Sequence, residues 1–194
     1  MIEKPLSVAQ LIRADIEATT HANFRLYSNR RFWLRAFAKL LVTPSVRVVV
    51  MYRISHWLTK KGLLPIALLI RNHGVNVSGA ELSPLATVGP GLYLPHAIGA
   101  GFGAYVTIGS NCTLQAGAAV GPQPLGNEGP KQTVIGDNVY IGLHAVVMGG
   151  VHVGDGAVIG ANAVVMRDVE AYSVIASSPG RVVWRRSEED GRHG

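Results

Sequence analysis

Aliphatic residues recur every six positions over most of the second half of the chain. Ile135, Ile141, Val147, Val153, Ile159 and Val165 form one unbroken series. Leu82, Val88 and Leu94 keep the same beat earlier, as do Ile108, Leu114 and Val120. Glycine directly follows seven of these twelve: Gly89, Gly109, Gly121, Gly136, Gly142, Gly154 and Gly160. The residue four places on is small or aliphatic, as at Ala86, Cys112, Ala118, Val139, Ala145, Val151, Ala157, Ala163 and Val169. A period of six matches neither the 3.6-residue helix nor the two-residue strand alternation. It predicts a solenoid of short flat strands, one per hexapeptide, joined by tight corners. Three hexapeptides close one triangular coil with the aliphatic side chains stacked inside.

Two stretches break the beat. Residues 100–107 read as an eight-residue turn of coil where six is the rule. Residues 121–134, GPQPLGNEGPKQTV, are rich in Gly and Pro and should project as a loop. The ladder is expected to end near Val169, with a tail from Ser177 leaving the coil.

Residues 1–75 read as helical instead. Ser7 is suited to cap a helix over Val8–Ala18. Arg31–Val42 is apolar at helical spacing and stops before Pro44, which can open a further helix carrying Val46–Thr59. Lys61-Gly62 signals a turn, Leu63–Arg71 a last short helix, and Asn72-His73-Gly74 a break. The expected organisation is a helical region over 1–75, a β-solenoid domain over 76–178 and a tail over 179–194.

Composition and charge sharpen this picture. With 48% hydrophobic and 15% charged residues, the 194-residue chain is globular and can bury a real core. Its single cysteine, Cys112, excludes an internal disulfide and sits at an inward repeat position, as a buried core thiol would. Residues 1–80 hold 12 Lys+Arg against 3 Asp+Glu, or +9; residues 81–194 hold 6 against 9, or −3. A basic first part with Phe32, Trp33 and Trp57 fits an anionic membrane surface. Nucleic acid is not expected, because no aromatic-basic repeat or binding motif is present. The start lacks the basic and apolar regions of a secretory signal, and the run Gly62–Ile70 is too short to span a bilayer. A cytoplasmic location is expected, with the inner membrane surface as a possible station.

Residues 79–117, GAELSPLATVGPGLYLPHAIGAGFGAYVTIGSNCTLQAG, resemble the hexapeptide-repeat acyltransferases. The likeness is greatest to the serine acetyltransferase branch and its polysaccharide O-acetyltransferase relatives. It is carried by the turn Val88-Gly89-Pro90-Gly91-Leu92-Tyr93, by His96 in Leu94-Pro95-His96, and by the enlarged coil that follows. The close Ser178-Pro179-Gly180-Arg181-Val182 and the basic helical N-terminal part fit as well. The resemblance covers about residues 40–186. It implies a mainly β fold, a left-handed parallel β-helix of hexapeptide repeats with an N-terminal α-helical region. It also implies a homotrimer with active sites between neighbouring coils, and acetyl-CoA as co-substrate without a metal.

Acyl transfer from a thioester to a hydroxyl needs a base, and histidine titrates near working pH. The resemblance makes His96 that base. Glu81, placed one coil below, is expected to hold its tautomer, where serine acetyltransferases carry Asp. Leu143 and Ala161, one coil apart, are implied along the pantetheine, and Arg181 at the CoA phosphates. His144 is expected to face the acceptor or the cofactor groove. Two departures bear on the acceptor. Pro95 stands where serine acetyltransferases have an Asp that helps hold the substrate ammonium, and Lys131-Gln132 where they have Arg-His for the carboxylate. A site that discriminates by polar contacts loses much without them. The expected acceptor is therefore a hydroxyl of a sugar, glycan or other hydroxylated metabolite, with serine O-acetylation as the alternative. A non-catalytic trimeric scaffold is the alternative of another class. The chain ends Arg192-His193-Gly194, without the isoleucine by which that family binds cysteine synthase, so no such complex is expected. Three-histidine zinc chemistry is not expected either, since His96, His144 and His152 lack the needed spacing.

Overall fold

The computed structural model describes residues 5–19, 29–122 and 129–177. Among the described residues four helices precede thirteen short strands. The helices are α1 (Val8–Ala18), α2 (Asn29–Val42), α3 (Pro44–Lys60) and α4 (Leu64–Ser78). Ser7 caps α1 in a reciprocal capping box with Gln10, and Pro44 occupies the first turn of α3.

One expectation fails in α4. Asn72-His73-Gly74 does not stop the helix, which runs on to Ser78 and ends at Gly79 with a φ of 69°. Gly74 is buried, and a Cβ there would sit 3.5 Å from Val48. Gly74 faces Val48 and Met51 of α3; it is a contact residue and not a terminator.

The strands stack into three parallel sheets, the faces of a triangular β-helix. The first face holds β1 (Glu81–Leu82), β3 (Gly101–Phe102), β6 (Ala119–Val120), β9 (Val146–Val147) and β12 (Val164–Val165). The second holds β2 (Thr87–Val88), β4 (Val106–Ile108), β7 (Thr133–Ile135) and β10 (His152–Val153). The third holds β5 (Thr113–Leu114), β8 (Tyr140–Ile141), β11 (Val158–Ile159) and β13 (Val174–Ile175). The sixth-residue aliphatics and the small residues four places on are buried together. Each large one removed from water contributes about 1.5–3 kcal/mol. Glycine after an inward residue answers a steric demand at every such position but Gly121: a Cβ on Gly109 would lie 2.6 Å from the Gly136 carbonyl carbon in the next coil. Cys112 is buried in this core, with its Sγ 3.1 Å from the Gly136 carbonyl oxygen.

The ladder is also longer than expected. Val169 bridges Val153, and β13 adds another strand beside β11. The enlarged corner moves as well. Phe102 is an inward rung paired with Leu82 and Val120, so residues 102–107 are an ordinary hexapeptide leading to the rung at Ile108. The extra residues lie between Leu94 and Phe102. The aromatic side chain at 102 hid the beat that aliphatic neighbours reveal.

The open lower end of the β-helix is closed by α3, as solenoid ends must be. Tyr52 packs edge-on against Phe102 and donates from its hydroxyl to the Ala86 carbonyl at 2.9 Å. Arg53 and Asp15, both essentially without solvent access, form a bidentate pair at 2.7 and 2.9 Å. The guanidinium also donates to the Val88 and Gly89 carbonyls, while Asp15 accepts from the Gly91 and Leu92 amides. Burial pushes the Asp15 carboxyl above its ordinary value, against the pull of Arg53 and the two amides.

Candidate active site

Corners of this β-helix stack as regularly as its faces. At the edge between the third and first faces, Gly117 N donates to Ile98 O, His144 N to Ala116 O, and Asn162 N to Leu143 O. Each coil turns this corner alike. Ala100 N bonds Ala97 O as Ala118 N bonds Gln115 O, which aligns Ala97 with Gln115. The two residues left over in the first coil are Pro95 and His96. His96 is therefore part of the insertion itself. It is exposed on a bulge at this edge, and none of its hydrogen bonding is taken up by another described residue.

Leu143, His144 and Ala161 share the edge with His96, in later coils. The Leu143 side chain stands in solvent. His144 has a φ of 54°, a left-handed corner conformation for which histidine is one of the better-suited residues. Its imidazole lies over Gly117, where a Cβ would collide with it.

A groove of about 380 Å³ runs along the outer side of the first face, from this edge to the next. Its floor is made by Gly101 and Ala119, outward positions with little or no side chain; Val146 and Met148 line it above. Gly79 and Gly99 bring it to the His96 edge, and Glu81 borders it below. Glu81 opposes Gly101 across the β1–β3 pair. Its carboxylate is not on His96: it forms an ion pair with Arg71 of α4, which also donates to Asn72 Oδ1. The expected Glu81–His96 dyad is thus not formed in the single chain, because α4 offers Glu81 a cation first.

Lys131 and Gln132 lie elsewhere, at the edge between the first and second faces. Gln132 Nε2 donates to Thr107 Oγ1 at 2.6 Å, and Lys131 lies over Gly150. A full face of the prism, the grooved one, separates them from His96. Arg181 and the tail over 179–194 lie outside the described residues, as do residues 123–128 of the loop. Burial pushes the Cys112 thiol up to about 11, which leaves it un-ionised and unsuited to nucleophilic work.

Arg71 and the Asp15–Arg53 pair were not singled out from the sequence. A signal existed for the pair: Asp15 follows Ile12 and precedes Ile16 on a packed helix side, and Arg53 interrupts the apolar run of α3. A charge on a packed face is either a ligand site or a buried pair. No such signal marked Arg71.

Comparison with known proteins places the chain. Residues 132–167 match the bacterial transferase hexapeptide family (six repeats), and residues 98–122 match the hexapeptide repeat of succinyl-transferase. The serine acetyltransferase of Synechococcus elongatus is 30% identical over 168 residues, covering 86% of this chain and 68% of the relative. Soybean serine acetyltransferase complexed with serine superposes with a TM-score of 0.75 at 28% identity, over 91% of this chain and 70% of that one. The serine acetyltransferase from Brucella abortus in complex with coenzyme A gives 0.74 at 26% identity, over 90% and 67%. Plant relatives are longer, and the chain spans 39% of serine acetyltransferase 4 of Arabidopsis thaliana. The fold is the expected mainly β, left-handed parallel β-helix with an N-terminal helical region. With this likeness running through helices and coils alike, the chain belongs to the serine acetyltransferase family of hexapeptide-repeat acyltransferases, which use acetyl-CoA as co-substrate.

Proposed function

We propose that the chain is a serine O-acetyltransferase, moving the acetyl group of acetyl-CoA to the hydroxyl of L-serine with His96 as general base. The observation that carries this reading is the 30% identity to a serine acetyltransferase over 86% of the chain. It replaces the sugar or glycan acceptor expected from Pro95 and Lys131-Gln132, which no likeness supports.

The chemistry follows from the edge. His96 Nε2 or Nδ1 takes the hydroxyl proton as the serine oxygen attacks the thioester carbonyl. The tetrahedral adduct collapses with loss of the CoA sulfur, and the imidazolium returns its proton to that thiolate. No acyl-enzyme is needed, so Cys112 has no part. Leu143 and Ala161 are proposed to line the pantetheine arm, because they stack on the His96 edge. His144, on the same edge, is proposed to face the acceptor or the cofactor. Glu81 is proposed to orient His96 once the acceptor is bound, which requires it to leave Arg71. Arg181 is proposed for the CoA phosphates. A homotrimer is proposed too. Lys131 and Gln132 are one face of the prism away, roughly 20 Å of extended chain, and a neighbouring subunit would bring such an edge to His96.

A second reading keeps one observation in its favour. Pro95 beside His96 carries no charge, and Gln132 is already bonded to Thr107. Those features suit an acceptor without ammonium and carboxylate groups, such as a sugar hydroxyl. Release of CoA thiol with a panel of acceptors separates the two. L-serine as the best acceptor supports the proposal; a sugar turned over much faster than serine overturns it.

A further inference from the structure

The helical part carries an exposed apolar surface that acetyl transfer does not use. On the 3.6-residue period, α2 has three sides. Phe32, Ala36 and Leu40 pack inward against Ile16, Val46 and Val50. Beside them Leu34, Phe37 and Leu41 form a stripe, each more than 60% exposed. Arg35 and Lys39 fall on the third side. A second patch of the same character lies at the turn between α3 and α4, where Trp57, Leu63 and Leu64 are exposed around Lys60 and Lys61. Isolated apolar side chains on a surface are ordinary; stripes of this kind mark contacts.

The charge decides which contact. Residues 1–80 carry a net +9 and the remainder −3. A second copy would bring a like-charged helical face against this one, which is unfavourable. A negative surface is favoured. We propose that the α2 stripe and the α3–α4 turn dock the enzyme on an anionic phospholipid membrane. Leu34, Phe37, Leu41 and Trp57 enter the boundary between headgroups and acyl chains, and the basic residues meet the lipid phosphates. The association is peripheral: among the described residues no helix is long and apolar enough to cross a membrane.

The test is flotation of the full chain with phosphatidylcholine vesicles, with and without phosphatidylglycerol. Binding is expected only with the anionic lipid, and it should weaken as salt rises. Phe37→Glu with Leu41→Glu should cut the bound fraction about tenfold or more, and Lys60→Glu with Lys61→Glu should do the same. All four positions are exposed or half-exposed, so the unfolding midpoint of each variant should match the parent and separate lost docking from lost fold. Absence of binding to anionic vesicles overturns the proposal, as does full binding by both variants. So does light scattering that shows the parent at twice the mass of the Phe37→Glu/Leu41→Glu variant, because a second copy of the assembly would then cover the stripe.

Discussion

The β-helix and the helical cap are held together by opposite means. In the coils the same aliphatic contact repeats at every level, and no single contact is special. Between cap and coils, one buried ion pair answers two carbonyls and two amides of the first coil. A repeat spreads its stability over neighbours. A buried pair concentrates it, because removing one partner strands the other in a dry site. The difference shows why His96 can sit on a bulge: the coils above and the pinned turn Val88–Leu92 below keep a two-residue insertion from disturbing its surroundings.

The contrast breaks most severely at the pair. Arg53→Met should cost about 3–5 kcal/mol by denaturant unfolding, since it leaves Asp15 buried and uncompensated. Replacing Asp15 and Arg53 together by apolar residues should cost less than the sum of the two single changes, although it leaves the Val88 and Gly89 carbonyls and the Gly91 and Leu92 amides without these partners. Equal and additive losses would mean that the pair acts as two separate groups.

Within the repeat the expected effects are smaller and depend on steric place. Gly109→Ala puts a methyl against the Gly136 backbone and should cost about 1–3 kcal/mol. Gly121→Ala, with nothing within 4 Å, should stay within about 0.5 kcal/mol. Thermal unfolding of the two variants side by side measures how closely the coils approach. Cys112 tests the same core chemically. Its thiol, buried and raised to about 11, should resist thiol reagents at pH 8 until the protein unfolds.

The smallest effect belongs to the seam between the regions. His56 of α3 donates from Nδ1 to the Pro84 carbonyl at 3.0 Å, and burial lowers its pKa below 6.5. The folded state thus prefers the neutral ring. Its contribution is present above 6.5 and is lost as pH falls through that value toward the folded one. His56→Gln should flatten the pH dependence of the unfolding midpoint below 6.5, and an unchanged dependence would remove His56 from the seam.

The two regions also differed in how plainly the sequence spoke. The aliphatic period revealed the coils, because each inward position obeys the same packing rule. It misplaced the insertion because Phe102, though inward, is aromatic. Helix starts at Ser7 and Pro44 were readable from capping chemistry, whereas Gly74 read as a stop because its role depends on Val48, 26 residues away in the chain. The site was legible in part. Leu143 and Ala161 stack on one edge, as their 18-residue spacing requires, whereas the place of His96 on that edge rests on the insertion that the period misplaced. The partner of Glu81 was not legible, since Arg71 reaches it through the course of α4, which no repeat encodes. For the acceptor, two local departures, Pro95 and Lys131-Gln132, read toward a sugar hydroxyl, whereas the likeness over most of the chain favours the proposed serine.

The central claim is that the insertion carrying His96 is where the proton is taken. The direct measurement is CoA thiol release from acetyl-CoA with L-serine by the parent and by His96→Ala. The exposed position predicts an unchanged unfolding midpoint, and the role predicts a rate lower by about 10²–10⁴-fold. A His96→Ala enzyme that is equally stable and turns over as fast as the parent would contradict the account.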